Sequence, residues 1–440
     1  MPSHHPTLCR QRQKALGVPE LVAIALGGMV GGGIFTVLGV SVAMIGVFTP
    51  LAIGIGGALA ALAAYSYIRL AVYFRDEGGT YSFFKLTFPD SHFAASLIGW
   101  WVIFGYISTL ALYAFTFASY AISGSPTLDN PLTRKLVAGA VLAVFALINI
   151  WSVRGMGKLE DLLVYTKLVI LAIIAFVLLN NAQTSLPALL PADHTLPLGN
   201  ILIIAAVTFV AYEGFELVIN AVNEMDRPQR NIPRAIYIAI FLAILIYVVI
   251  ALGAIVTIPF RDIIANQEYA LASASSNILG HWGTELMVAG ALLATSSAIS
   301  GTLFGSSRQM AVIAADGYFP RLLAHRDKGM PLPAIVTLAG AAFVLIAVGS
   351  LRVILEFGSI TFLLVSLLMA IANFRQRYLT GSSTPVTLLA IAALLLGTLT
   401  ILYYEAVTQP QQLLFIGGLY LLLTVLAWIQ SRRQAWSAQD

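Results

Sequence analysis

The sequence predicts an all-α integral membrane protein with twelve transmembrane helices, and three observations carry that prediction. The 440-residue chain is 59% hydrophobic and only 10% charged, where a soluble domain carries roughly 25% charged residues, and its mean hydropathy is +0.88. Twelve apolar runs are long enough to cross about 30 Å of hydrocarbon as helix. The basic residues are sorted by side. Of 24 Lys and Arg, nineteen fall on the side of the two termini, and Arg134, Lys135, Arg261 and Arg352 fall opposite. Lys167 alone stands inside a span. Lysine and arginine are retained on the cytoplasmic side, so both termini are predicted to be cytoplasmic.

The first six runs lie near 18–46, 48–72, 91–122, 131–152, 157–180 and 199–223. Six more follow near 232–258, 282–314, 332–350, 352–374, 384–405 and 410–430. Short tails, 1–17 and 431–440, flank them. The N-terminal tail has no apolar stretch with a small-residue cleavage site, so the first span is expected to act as an uncleaved insertion signal. Cys9, the only cysteine, lies in that tail, and an intrachain disulfide is therefore impossible. The pI near 9.1 follows from the retained basic loops and needs no nucleic-acid partner.

Two spans carry residues that a plain membrane helix does not need. In the first, "IALGGMVGGGIF" sets Gly27, Gly28, Gly31, Gly32 and Gly33 in an apolar run. Close packing through small residues explains one spaced pair, but not three consecutive glycines. Each interior glycine costs about 1 kcal/mol relative to alanine, so local unwinding is predicted at Gly31 to Gly33. In the sixth, Gly214 stands between Tyr212 and Phe215 with Glu213 and Glu216 beside it. A carboxylate at bilayer depth costs several kcal/mol, and such residues face a water-filled cavity or a partner. Glu216, Asn220 and Asn223, spaced by four and three, would form one polar helix face lining an aqueous path. Breaks in spans one and six, five spans apart, are what a five-plus-five inverted repeat produces, with residues 18–180 and 199–374 as the halves and 384–430 outside them. Freed backbone amides can then hold a carboxylate, and freed carbonyls an ammonium or a cation.

Four stretches, "GGMVGGGIFTVLG", "DEGGTYSFF", "FVAYEGFELVINAVNEMDRPQRNIPRAI" and "GTLFGSSRQMAVIAADGYFP", occur in this order from residue 27 to 320. Together they resemble the amino acid–polyamine–organocation (APC) superfamily, and specifically its bacterial and archaeal amino acid permeases. The resemblance implies a LeuT-type fold and secondary active transport by alternating access across the plasma (inner) membrane, with an amino acid and a proton as partners and the bilayer as solvent. It implies a nest for the substrate carboxylate at Gly31, Gly32, Gly33 and Ile34. Carbonyls for the amino group would come from Val210, Ala211, Tyr212, Glu213 and Gly214. Val210 sits where many relatives have a bulky aromatic gate, and Tyr212, Tyr106 or Tyr113 are the candidates to replace it.

Lys167 lies about two turns into span five, in "DLLVYTKLVILAIIAF". It either snorkels to the headgroups or, as the resemblance implies, stands where its ammonium replaces the sodium ion of sodium-driven relatives. Ser296, Ser297 and Ser300 are its candidate neighbours. A lysine taken out of water is able to gain and lose a proton during transport, which predicts proton symport; exchange of an amino acid or polyamine fits the same residue if it stays charged. Glu216 matches a gating or proton-sensing position, or is a hydrogen-bonded structural acid. Glu213 has three roles open to it: pairing with a cationic substrate, titrating with the transported proton, or pairing with Lys167. A substrate-facing anion would favour neutral or cationic amino acids over acidic ones. Glu224, Asp226, Arg227, Arg230, Arg308 and Asp316 are either solvated surface charges or an inward gate.

Other classes fit less well. His4, His5, His92, His194, His281 and His325 fall in tails, loops or span ends, and no HExxH motif occurs. Neither an enzyme nor a metal or cofactor site is therefore expected. No charged residues repeat as a pore ring, and two broken helices predict an occluded midplane site rather than a channel.

Overall fold

The computed structural model describes residues 16–437 apart from 77, 125–129, 152, 190–195, 267–268 and 328–329, with side chains left undescribed at 153–161, 187–188, 270, 273–279 and 435–437. His4, His5, Cys9, Arg10, Arg12, Lys14 and His194 lie outside the described residues. The helices are α1 (Val18–Met29), α2 (Gly32–Ile45), α3 (Thr49–Phe74), α4 (Gly79–Thr87), α5 (His92–Ile122) and α6 (Pro131–Trp151). Then come α7 (Val153–Asn180), α8 (Leu186–Leu189), α9 (Leu198–Val207), α10 (Leu217–Asn220), α11 (Pro228–Thr257) and α12 (Phe260–Ala265). The chain ends with α13 (Ala270–Ala315), α14 (Leu332–Val348), α15 (Leu351–Arg375), α16 (Arg377–Thr380), α17 (Thr384–Thr408) and α18 (Pro410–Ser437). All twelve predicted runs are helical. Among the described residues, ten helical stretches have the length and hydropathy of a membrane span, and Val18–Met29 and Leu332–Val348 are shorter apolar helices.

Helix starts follow the chain's punctuation. Proline stands in the first turn of α1, α3, α11, α14 and α17, where its missing N–H costs no hydrogen bond. Ser91 and Ser350 cap α5 and α15 by accepting from the amides of Ala94 and Val353. The Glu20 carboxylate returns to the Gly17 amide at 3.0 Å. α13 bends at Gly280, whose φ of +67° no other residue adopts easily.

α5 forms the centre of the bundle, packed against α6, α13, α15 and α18, while α11 packs against α1, α3 and α7. The periphery is different. α17 and α18 keep Leu396, Leu399, Leu414 and Leu421 exposed, an apolar surface that suits lipid rather than water.

The two interrupted spans meet each other inside this frame. α1 stops at Met29, Val30 turns to ψ 73°, and α2 restarts at Gly32. The break thus sits at Val30–Gly31, one residue earlier than expected, and Gly32 and Gly33 open the second half-helix instead of being unwound. The sixth span is α9, a 3₁₀ turn over Thr208–Tyr212, an extended Glu213 at ψ 145°, Gly214 at φ +120°, and the short α10. Because α10 ends at Asn220, the expected helical stripe of Glu216, Asn220 and Asn223 does not form. Glu216 is buried, Asn220 half-buried and Asn223 exposed. Beyond it the chain zips to the segment before α1, with the Leu16 amide donating to the Glu224 carbonyl at 2.9 Å and the Asp226 amide to the Leu16 carbonyl at 3.3 Å.

Candidate functional site

A helix that ends inside a membrane leaves its last carbonyls without partners, and each must be satisfied by a neighbour. At the end of α1 four consecutive carbonyls, Gly27 to Val30, receive side-chain donors from three different helices. The Lys167 ammonium on α7 donates to Gly27 O at 2.9 Å and to Val30 O at 2.7 Å. Tyr113 on α5 donates its phenol to Gly28 O at 3.0 Å. Tyr247 on α11 donates to Met29 O at 2.6 Å and lies 3.0 Å from Ala211 O, so one hydroxyl touches both broken spans.

Lys167 is wholly buried, which removes the snorkelling alternative. Its third partner is Ser297 Oγ at 3.2 Å on α13. Ser297 is thus brought to the ammonium; Ser300 is buried one turn on, and Ser296 faces the partly exposed side of the helix.

The breaks touch through glycine. A Cβ on Gly214 would lie 2.6 Å from the Gly28 carbonyl carbon and 2.7 Å from the Met29 amide nitrogen, and its positive φ already favours glycine. A Cβ on Gly33 would meet Ala211 at 2.8 Å. Only bare backbone fits at this crossing.

Beside it lies a small cavity of about 10 Å³ lined by Gly28, Tyr106, Thr109, Tyr113, Glu213, Gly214, Leu217 and Thr302, room for about one water. Of the residues predicted for the substrate site, Glu213 and Gly214 line it. Gly31, Gly32, Gly33 and Ile34 are buried, with Gly31 and Gly32 against Tyr113 and Gly33 against Ala211. Val210 packs on Gly358. Tyr212 turns away from the cavity: its phenol donates to Ile53 O at 2.8 Å and its ring leans on Tyr247. Of the three aromatic residues offered as a gate, Tyr106 and Tyr113 line the cavity and Tyr212 does not.

The two glutamates have different surroundings. Glu216 Oε2 accepts from Thr80 Oγ1 at 2.7 Å and from Tyr106 at 3.1 Å. Glu213 is 2% exposed, and neither of its oxygens has a hydrogen-bond partner among the described residues. Its expected alternative partner, Lys167, is engaged at the other side of the break. The Glu213 carboxyl lies beside that of Glu216, whose Oε1 is likewise without a partner among the described residues, and two buried carboxyls in contact need a proton between them or a cationic ligand.

On the tail-bearing face, Asp316 accepts from Lys85 at 2.7 Å and from the Tyr81 phenol at 2.7 Å. Burial, and then the bond to Asp316, pushes the Tyr81 phenol well above its usual range, which keeps it a donor. Glu224, Asp226, Arg227 and Arg230 are exposed, and Arg308 lies over the Phe304 ring. Asp316, one of the charges named as a possible inward gate, ties two segments together through Lys85, a residue outside that set. Sequence reasoning missed Thr80 and Tyr247. A tyrosine deep in an apolar span is the available signal, since its hydroxyl must find an acceptor.

Residues 16–424 match the sequence profile of a family described as amino acid permease. An inner membrane transport protein of Escherichia coli, YbaT, is 29% identical over 96% of this chain and 97% of its own. The human Asc-type amino acid transporter 1 is 27% identical over 79% of this chain and 68% of its own. The chloroplastic cationic amino acid transporter 7 of Arabidopsis thaliana is 25% identical over 93% of this chain and 74% of its own.

Proposed function

The chain belongs to the amino acid permease family of the APC superfamily, and from that premise we propose that it is a proton-coupled amino acid symporter with a bias towards neutral or cationic substrates. Amino acid transport across a membrane is the family's activity. The observation that carries it is the buried Lys167 ammonium bonded to the carbonyls of Gly27 and Val30 at the break in the first span.

An ammonium there does what a bound metal cation would do, since freed carbonyls at a half-helix C-terminus bind either. Protonated, Lys167 ties α1 to α7 and α13. Deprotonated, it loses its charge and its third donor, which weakens its hold on those oxygens and loosens the break. The amides at the start of α2, Gly32, Gly33 and Ile34, suit a carboxylate, and the unpartnered Glu213 suits a substrate ammonium. The Arabidopsis relative's name, a cationic amino acid transporter, accords with this bias. A cavity of about 10 Å³ is too small for an amino acid, so under alternating access this site would have to widen to take substrate. The paired breaks support a LeuT-type reading in which 18–180 and 199–374 are inverted repeats. The name of the E. coli relative supports an inner-membrane location, and the basic loops support cytoplasmic termini.

A second reading, amino acid or polyamine exchange without net proton movement, is favoured by Lys167's three acceptors, all of which stabilise the charged form. Uptake of a radiolabelled amino acid mixture into liposomes separates the two. Symport predicts accumulation driven by an inward proton gradient and lost in Lys167→Ala. Exchange predicts uptake only into vesicles preloaded with substrate. Sodium-driven accumulation, or a proton-driven one that survives in the variant, overturns the proposed role of Lys167.

A further inference from the structure

A second buried acid cluster lies where α15 meets α17. Glu356 is 1% exposed and Glu405 0% exposed, and the two carboxyl groups lie beside each other. Arg352 Nε donates to Glu356 Oε1 at 2.7 Å, and the same guanidinium donates to the Tyr404 hydroxyl. Glu356 Oε2 and both oxygens of Glu405 have no hydrogen-bond partner among the described residues. The transport reading uses none of these groups.

Two ionised carboxylates only accept hydrogen bonds, so side by side they repel and leave three oxygens unsatisfied. With one guanidinium between them the cluster would also keep a net negative charge inside apolar surroundings, a costly state. One proton removes the repulsion and the net charge and satisfies two of the three oxygens. It brings the cluster to neutrality and turns the carboxyl contact into an O–H···O bond from one glutamate to the other.

We propose that Glu356 and Glu405 form a proton-binding site separate from the cavity at the broken spans, holding one proton between them and joining α15 to α17. The charged and titratable groups that face the pair are Arg352 on α15 and Tyr404 on α17. Tyr420 on α18 stacks near Phe357 but has its hydroxyl on Thr361. The other charged groups of the packed helices lie at the far end. Arg69 of α3 sits over Tyr65, whose phenol meets Ser383 at the opposite end of α17. His92 of α5 pairs with Tyr318, and Lys85 of α4 with Asp316.

The site has a path to the sixth span. Three residues beyond Glu356, the Ser359 hydroxyl donates to Val207 O at 2.6 Å, where α9 gives way to the 3₁₀ turn, and Gly358 packs on Val210. The proton-bound pair fixes α15 against α17, and α17 also packs on α9. Loss of the proton sets two like charges between the helices. The pair's contribution is therefore present at low pH and lost as pH rises.

The test uses the full chain in lipid nanodiscs, read by infrared difference spectroscopy and by thermal unfolding across pH, with no transport assay, so it stands apart from the symport reading. Wild type is expected to show a protonated-carboxyl band that alkaline pH removes, and a melting temperature that falls over the same range. Glu405→Gln supplies a permanent N–H donor to Glu356. It should lack that band and hold its melting temperature level, while Glu213→Gln keeps the band. Glu356→Gln gives the same loss of band should Glu405→Gln not fold. A band unchanged in both variants overturns the proposal, as does a wild-type pH profile that Glu405→Gln reproduces. Sodium raising the melting temperature of wild type but not of Glu405→Gln would make this a metal site and overturn it as well.

Discussion

The Lys167 ammonium lies 2.7 Å from the carbonyl oxygen of Val30, the residue at which the first span stops being helical. It also holds Gly27 O, one turn earlier. Replacing it by methionine keeps the apolar stem but leaves both buried oxygens bare, at about 1–3 kcal/mol each. Lys167→Met should therefore unfold at a clearly lower temperature in nanodiscs without substrate. An unchanged melting temperature would mean that the ammonium does not hold the break.

Tyr247→Phe removes the hydroxyl shared by Met29 O and Ala211 O while keeping the ring against Tyr212. Interhelical hydrogen bonds in membranes average about 0.6 kcal/mol and reach about 1.7. Stability should fall by that modest amount. Transport should suffer more than stability, because the lost bond joins the two segments that must move together; uptake rates beside melting curves decide it.

Gly214→Ala should abolish uptake. The new Cβ would meet the Gly28 carbonyl carbon at 2.6 Å, and alanine is strained at φ +120°, a conformation costing about 1–3 kcal/mol. Gly418→Ala, with nothing within 4 Å of its Cβ, is the matched control and should transport as wild type does.

Glu213→Gln should change which substrates compete. If the unpartnered carboxyl receives a cationic group, its loss removes a charge-assisted bond, and cationic amino acids should weaken about tenfold relative to neutral ones. Equal effects on both classes in inhibition curves would exclude a substrate-facing anion.

Much of this was legible in one dimension. Apolar runs long enough for a bilayer gave all twelve helical regions, and the glycine cluster and the Glu213–Glu216 pair marked the two interruptions. The break fell at Val30–Gly31 because the pattern reads glycine content, whereas the break point is set where Lys167, Tyr113 and Tyr247 can take the freed carbonyls. The stripe of Glu216, Asn220 and Asn223 failed for a related reason. Spacings of four and three describe a face only if the helix continues, and here α10 ends within one turn.

By itself the sequence determined that the chain spans a membrane, that two spans break, and that a lysine and two glutamates lie at depth, because hydropathy, glycine cost and the price of a buried charge are local quantities. Only the tertiary structure decided who meets whom. A backbone carbonyl carries no mark in the sequence, so the donors for Gly27 to Val30, drawn from residues up to 218 positions away, exist as partners only once α5, α7 and α11 have packed around α1. The pairing of Glu356 with Glu405 has the same origin: two acids far apart in the chain become one site when α15 and α17 bury them against each other.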